Sequence, residues 1–191
     1  KGNVAFASRT GFESWFHLLN AKHDGRSVVE DFIVWNTRAK GMIIPYTANM
    51  TLKNVKLFGR TASLSQIGIG VNKATRNIRF ENIHAEGWKI GVQMPRKGQN
   101  ILDGGYFNNV RSIEISKAHD LRRTIDIIGD VKFGQLTDAA LQGRRQLDYL
   151  MRADVKVKDR NITKLFSPDV TRMGTIRFDG KQFFFHEQAP D

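Results

Sequence analysis

The chain contains the heptapeptides NMTLKNV at residues 49–55, NIRFENI at 77–83 and NILDGGY at 100–106. Each opens on an asparagine followed by an apolar residue, and the copies follow one another at intervals of 28 and 23 residues. Repeats of this length are typical of solenoids, in which each short unit buries its apolar face only by stacking on its neighbours. The sequence therefore predicts stacked coils rather than a single closed core.

Each predicted coil contains two short strands. Apolar and polar residues alternate in segments such as Val55-Lys56-Leu57, and β-branched residues are frequent, which favours strand over helix. The first strands are predicted at 3–6, 28–35, 51–58, 79–85 and 102–108, with a last coil at 124–128 and 131–133. The second strands, most of which open on a small residue, are predicted at 12–16, 41–44, 68–71, 91–94 and 112–115.

Asparagines recur at the expected corners of the coils. Asparagine tolerates a left-handed backbone and its amide can bond the turn, so stacked copies can form a ladder along the axis. We predict one ladder from Asn49, Asn77 and Asn100. A second ladder is predicted from Asn54 and Asn82, together with Asp31 and Asn3.

The composition is that of a folded, basic protein. Apolar residues make up 40% of the 191 residues, and no apolar run approaches the roughly 20 residues that cross a bilayer. Lysine and arginine number 30 against 19 acidic residues, a net charge of +11, which favours polyanionic partners such as acidic polysaccharide, nucleic acid or an anionic surface. The absence of cysteine excludes disulfides, thiol nucleophiles and zinc–thiolate sites.

The repeats at 1–134 resemble those of the pectate-lyase-like superfamily of right-handed parallel β-helix proteins. Segments 3–5, 11–12, 15–16, 31–32, 35–36 and 40–42 are similar to coils of extracellular proteins that pair a G8 module with a β-helix, among them relatives of cell-surface hyaluronidases. The resemblance implies an all-β, right-handed parallel β-helix of five to six coils, an extracellular or cell-surface location and carbohydrate substrates. It carries over no catalytic residue.

Residues 135–191 depart from the repeat and are predicted to cap the same domain. Leucine and alanine spacing over 135–152 indicates a helix, and 173–185 is typical of a hairpin that turns at Asp179-Gly180. A solenoid needs such a cap because its last coil otherwise exposes apolar interior and unpaired strand edges. The beginning of the chain has no comparable cap, so we expect another domain or subunit to cover that end.

Alternation along the first strands predicts two outward rows of side chains. If Phe32, Val55 and Ile83 point inward, the rows are Ile33, Lys56, His84 and Phe107, and Trp35, Phe58, Glu86 and Asn109. Aromatic side chains spaced one coil apart suit sugar rings, while charged and amide groups bind hydroxyls at the margin. We predict a carbohydrate-binding surface here, extended by Trp88; the alternative is a platform buried under the loop at 17–27.

A second row is expected at the corner that follows the second strands. Counting five residues from the small residue that opens each of these strands gives Tyr46, Lys73, Arg96 and Lys117. Like charges in one row repel unless solvent or an anionic ligand relieves them. A polymer with regularly spaced carboxylates or sulfates fits this row, and edge protection by solvated lysine and arginine is the alternative.

Groups that could carry catalysis are few. His84 and Glu86 point the same way and permit an acid/base pair. Two groups of possible metal ligands lack the pattern of a known site. His17, His23 and Asp24 match no defined spacing. The acidic residues that calcium would need occupy several alternating positions, namely Glu30, Asp31, Glu81 and Asp103. We therefore predict no metal or other cofactor, with calcium the one left open.

Two functions fit these patterns. The first is a non-catalytic carbohydrate-binding module, for a plant or acidic polysaccharide, within a larger exported protein. The alternative is a catalytic polysaccharide lyase or glycoside hydrolase, or a fragment of one. Nucleic acid is not favoured as a partner, because no nucleic-acid recognition motif accompanies the positive charge.

The corner row gives a direct prediction. The double substitution Lys73→Glu with Arg96→Glu should shorten retention on an anionic polysaccharide column, because it replaces two attractive charges by two repulsive ones. Retention equal to that of the unmodified chain would remove this row from the binding surface.

Overall fold

The computed structural model describes residues 1–20, 25–60, 66–72, 74–95, 97–109, 111–115, 124–133, 154–157, 160–161, 174–178 and 181–186. Strands are the regular elements of this part of the chain. It contains no helix that is long and apolar enough to cross a membrane. The strands are β1 (Val4–Phe6), β2 (Thr10–Glu13), β3 (Ser27–Glu30), β4 (Ile33–Thr37), β5 (Lys40–Ile43), β6 (Ala48–Lys53), β7 (Lys56–Gly59), β8 (Ile67–Gly70), β9 (Arg76–Glu86), β10 (Ile90–Met94), β11 (Gln99–Asn108), β12 (Arg111–Ile115), β13 (Thr124–Phe133), β14 (Asp154–Val157), β15 (Arg160–Asn161), β16 (Gly174–Phe178) and β17 (Lys181–His186).

Successive coils pair in parallel in two sheets. The larger sheet runs β1-β4-β7-β9-β11-β13, with β3 and β6 joining it through β9, and the smaller runs β12-β10-β8-β5-β2. Paired residues lie far apart in sequence: Val4 faces Ile33, Met50 faces Ile78, and Leu102 faces Phe80. The predicted all-β fold of stacked parallel strands is therefore confirmed.

Two polar ladders hold the corners of the larger sheet. Asn54 Nδ2 donates to Asp31 Oδ1 at 3.0 Å, and Asn82 Nδ2 donates to Asn54 Oδ1 at 3.0 Å. At the other corner Asn77 Nδ2 donates to Asn49 Oδ1 at 3.0 Å. All five residues have a positive φ between 49° and 55°, the left-handed region that asparagine and aspartate enter more readily than other side chains. These members of both ladders are confirmed.

The two remaining ladder members were predicted wrongly. Ile101 pairs with Arg79, so Asn100 lies one position beyond Asn77, and it is fully buried. Its Oδ1 accepts from the Ile78 amide at 2.9 Å, while its Nδ2 donates to carbonyls of the preceding turn, those of Pro95 and Lys97. Asn3 is likewise displaced, because Val4 pairs with Ile33. Gly2 takes the corner position that was predicted for Asn3, and Gly104 continues the same ladder after Asn82. Both glycines have a positive φ.

A column of glycines crosses the smaller sheet and makes room for the largest core side chain. Gly11, Gly41, Gly68 and Gly91 occupy one position of successive strands. The last three were predicted to open their strands, whereas Gly11 lies one residue before the predicted strand at 12–16. A Cβ on Gly68 would lie 2.4 Å from the Gly91 carbonyl oxygen and 3.4 Å from the Trp88 ring. The buried Trp88 fills the space, and its indole Nε1 donates to the Leu57 carbonyl at 3.1 Å.

The C-terminal strands agree with part of the predicted cap. β16 and β17 pair antiparallel with Phe178 facing Lys181, as the predicted hairpin requires, and β16 pairs in parallel with β13. The predicted helix at 135–152 and the turn residues 179–180 lie outside the described residues.

The glycine column predicts a difference between two alanine substitutions. Gly68→Ala should lower the free energy of unfolding by about 1–3 kcal/mol, because its Cβ would collide with backbone. Gly70→Ala is the matched control, since its Cβ would meet nothing closer than 3.5 Å. Chemical denaturation compares the two, and equal stabilities would contradict the close approach of adjacent strands at Gly68.

Candidate binding surface

Outward side chains of the larger sheet form two parallel columns. The strand register places Val4, Ile33, Lys56, His84, Tyr106 and Lys132 in one, called here the His84 column. The other, the Trp35 column, consists of Phe6, Trp35, Phe58, Glu86 and Asn108. Residues of a column lie one coil apart, about 4.8 Å along the stack. The predicted neighbours Lys56 and His84, and Trp35, Phe58 and Glu86, are thus brought together.

The last predicted member of each row was wrong by one position. Phe107 pairs with Ala85 and is buried in the core, and Tyr106 takes the outward place beside His84. Asn109 is also buried: its Oδ1 accepts from the Trp88 amide at 3.0 Å and its Nδ2 donates to the Ala85 carbonyl at 2.8 Å. The cause is a spacing of 22 residues between these coils, since a shift of one residue exchanges the two faces of a strand.

Rings follow one another along both columns. Phe6 stacks on Trp35 with ring centroids 5.3 Å apart. The His84 ring lies between Phe58 at 5.2 Å and Tyr106 at 4.9 Å, tilted against both. Phe6 and Trp35 remain 60% and 45% exposed. Because two coils carry exposed rings in the same column, the side chains form an extended apolar band with polar groups at its edge.

The described residues of the loop at 17–27, which was the alternative cover for this band, contact another part of the chain. His17 Nε2 lies 2.7 Å from Ser27 Oγ, and the His17 carbonyl accepts from the Ala48 amide at 2.9 Å. Leu19 accepts a hydrogen bond from the Arg76 guanidinium. These residues sit against the start of β6 and β9, beyond the two columns. Residues 21–24 lie outside the described part, and they include His23 and Asp24, which the sequence analysis considered with His17 as metal ligands.

Polar atoms without partners mark the centre of the surface. His84 Nε2 is buried and forms no hydrogen bond with any described residue. It lies 3.6 Å from Glu86 Oε2, which is an ionic contact only when the imidazole is protonated. On the neighbouring strand Asn108, which pairs with Glu86, has a buried Oδ1 that also lacks a partner among the described residues. Such groups are uncommon in folded proteins, where most buried polar atoms are satisfied by protein or by ordered water.

Trp88 does not extend this surface, contrary to the prediction. Its side chain is fully buried between the two sheets, against the glycine column. The sequence carries a usable signal for this outcome in the aligned glycines, which leave a cavity that one large ring can fill.

The second predicted row has one described member. Tyr46 follows β5, its amide donates to Asn72 Oδ1 at 2.9 Å, and its ring stacks on Phe16 with centroids 4.6 Å apart. Trp15 packs against both rings and is 56% exposed. The sequence analysis missed this aromatic cluster of Trp15, Phe16 and Tyr46. Lys73, Arg96 and Lys117 lie outside the described residues.

Acidic residues that the sequence analysis had spread over several positions share one column. Glu30, Lys53, Glu81 and Asp103 face one another on successive strands, which corrects that interpretation, while Asp31 is held at the corner as predicted. Arg79 pairs with Glu81 and with Asp103, the latter at 2.7 Å. Glu30, with a smaller contribution from Asp31, raises the pKa of the exposed Lys1.

This acidic column is therefore occupied by ion pairs. In the part of the chain that the structure describes, no group of three or more histidine or acidic side chains is placed to hold a metal ion. Comparison with known proteins returned no match: no family model, no curated protein and no solved structure matches the chain.

Tryptophan fluorescence tests whether Trp35 is exposed and Trp88 is buried. Trp35→Phe should reduce the acrylamide-quenchable fluorescence, because this ring is exposed, whereas Trp88→Phe should remove the blue-shifted component that quencher does not reach. Trp15 contributes equally to both variants. A protected component that survives Trp88→Phe would contradict the burial of that side chain.

Proposed function

We propose that the chain is a carbohydrate-binding module of an exported protein, built on a right-handed parallel β-helix with a C-terminal cap and acting outside the cell or at its surface. The ligand is a polysaccharide, plant-derived or acidic. Parallel pairing of both sheets and the asparagine ladders support the helix, because both arise when equivalent residues of successive coils become neighbours.

One observation carries the binding proposal: Phe6, Trp35 and Phe58 stand in a single column at successive coils, and the first two are 60% and 45% exposed. Exposed apolar rings in a line are costly in water unless they meet a ligand or partner. Sugar rings present apolar C–H faces that pack on aromatic side chains, and their hydroxyls require hydrogen-bonding groups beside those rings.

The edge of the band supplies those hydrogen-bonding groups. Lys56 neighbours Phe58 along β7, while Glu86 and Asn108 continue the Trp35 column. Over the five coils from Phe6 to Asn108 the column spans about 20 Å. A polymer that lies along the stack meets similar contacts at each coil, which favours an extended chain over a small, enclosed ligand.

The alternative is a polysaccharide lyase or glycoside hydrolase, and the contact between His84 and Glu86 is the observation in its favour. The burial of His84 Nε2 counts against it, because a general base must come within hydrogen-bond reach of the proton that it removes. Product analysis separates the two functions: a module binds without generating new reducing or unsaturated ends.

The proposal also includes a partner at the beginning of the stack. Besides Phe6 and Trp35, the exposed large apolar residues of the described chain also come from its first two coils: Val4, Trp15, Phe16 and Val28. A neighbouring domain or subunit over this end would bury the edges of β1, β2 and β3, each of which pairs on one side.

Substitution in the Trp35 column tests binding. Trp35→Ala should weaken affinity for immobilised polysaccharide by about five- to thirtyfold, since an aromatic contact with a ligand contributes on the order of 1–2 kcal/mol. Val28→Ala is the matched control, because Val28 is similarly exposed at 57% but lies on β3, outside both columns. Affinity electrophoresis over a polysaccharide panel measures both, and equal retardation of the two variants would refute the column as the site.

A further inference from the structure

We propose that this surface selects anionic polysaccharides and that His84 makes the selection depend on pH. Protonation of the His84 imidazole cancels the charge of Glu86 and makes the surface more positive by one unit. The inference rests on the proposed function, because it concerns the same surface, and it specifies the class of polymer and the condition under which that polymer binds.

His84 occupies a cationic column. Lys56 precedes it by one coil, Tyr106 follows it, and Lys132 lies one coil further. Lys56 and Lys132 are both exposed at the sheet face. Carboxylates or sulfates repeated along a polymer would therefore pass two ammonium groups, with the imidazole between them.

Glu86 opposes this attraction when the imidazole is neutral. The charged and polar groups that face His84 come from three strands: Lys56 on β7, Glu86 on β9, and Tyr106 and Asn108 on β11. Among these, Glu86 alone carries a negative charge. Its carboxylate then repels an anionic ligand and offsets the charge of Lys56.

Protonation reverses the role of the pair. At 3.6 Å the contact between His84 Nε2 and Glu86 Oε2 is longer than a hydrogen bond, and Nε2 has no other partner in the described part of the chain. A protonated imidazole donates from both nitrogens, so a small movement converts the contact into a charge-assisted hydrogen bond. The carboxylate is then neutralised and Lys56 and Lys132 act on the ligand unopposed.

The direction of the pH effect on affinity follows from this change of charge. Imidazoles change charge between about pH 5 and 8, so anionic polymers should bind more tightly at the acidic end of this window. One additional charge at a partly exposed site changes affinity by about three- to tenfold. By linkage, an anionic ligand favours the protonated imidazole in turn. A neutral polymer has no charge to sense the change.

The experiment compares polygalacturonate with its fully methyl-esterified, neutral form at about pH 5.5 and about pH 8, at constant ionic strength. The unmodified chain should bind polygalacturonate about three- to tenfold more tightly at the lower pH and the neutral polymer equally at both. His84→Gln should remove the pH dependence, and Glu86→Gln should strengthen binding of polygalacturonate at the higher pH. His17→Gln is the control, because His17 bonds Ser27 away from the surface and its loss should leave the pH dependence intact.

The outcomes distinguish a failure of this inference from a failure of the proposed carbohydrate-binding function. Binding that depends on Trp35 but not on pH, or a pH dependence that survives His84→Gln, overturns the inference and leaves the carbohydrate module. Failure to bind either polymer at any pH overturns both. Circular dichroism of each variant establishes that a lost effect reflects the side chain and not the fold.

Discussion

Parallel backbone pairing between residues some two dozen positions apart is the constraint on which the rest of this molecule depends. Its strands are short, several with only three to five residues, and no strand of that length is stable alone. Pairing each strand with those of the neighbouring coils satisfies the backbone groups and gives each inward side chain apolar neighbours on both sides. Because side chains alternate between faces, the register of this pairing also decides which residues become core and which become surface.

The core depends on the close approach of coils in the smaller sheet. Glycines repeated at one position let adjacent strands approach and leave space for the Trp88 ring, whose indole nitrogen bonds a carbonyl of the other sheet. Buried asparagines then join the turns to the sheet. Asn109 bonds the Ala85 carbonyl and the Trp88 amide on either side of a turn. Asn100 bonds the Ile78 amide of the neighbouring strand and the Lys97 carbonyl of the turn that precedes it. These two side chains satisfy the buried backbone groups that they contact, which is the condition for burying such groups at low cost.

The same register creates the candidate surface. Phe6, Trp35 and Phe58 are distant in sequence and become vertical neighbours only because each coil repeats the position of the last. His84 and Glu86 meet Tyr106 and Asn108 for the same reason. A surface made in this way is regular along the stack axis, which is the geometry that an extended, repeating polymer requires. Its polar centre, where His84 Nε2 and Asn108 Oδ1 lack partners, is the part of the surface best placed to respond to a charged ligand.

The sequence by itself determined the class of fold and much of its internal order. Local backbone requirements select particular residue types, so the sequence shows them directly. Examples are the repeated heptapeptides, the glycines at the strand starts and the asparagines at 49, 54, 77 and 82. Trp35, Phe58, Lys56, His84 and Glu86 were placed on one face by alternation alone. The tertiary structure decided the rest. A coil of 22 residues instead of 23 exchanged Phe107 for Tyr106 and Asn109 for Asn108, and it buried Asn100. The tertiary structure also buried Trp88. Whether a side chain is buried depends on the space that neighbouring coils leave, and the residues next to it in sequence do not determine that space.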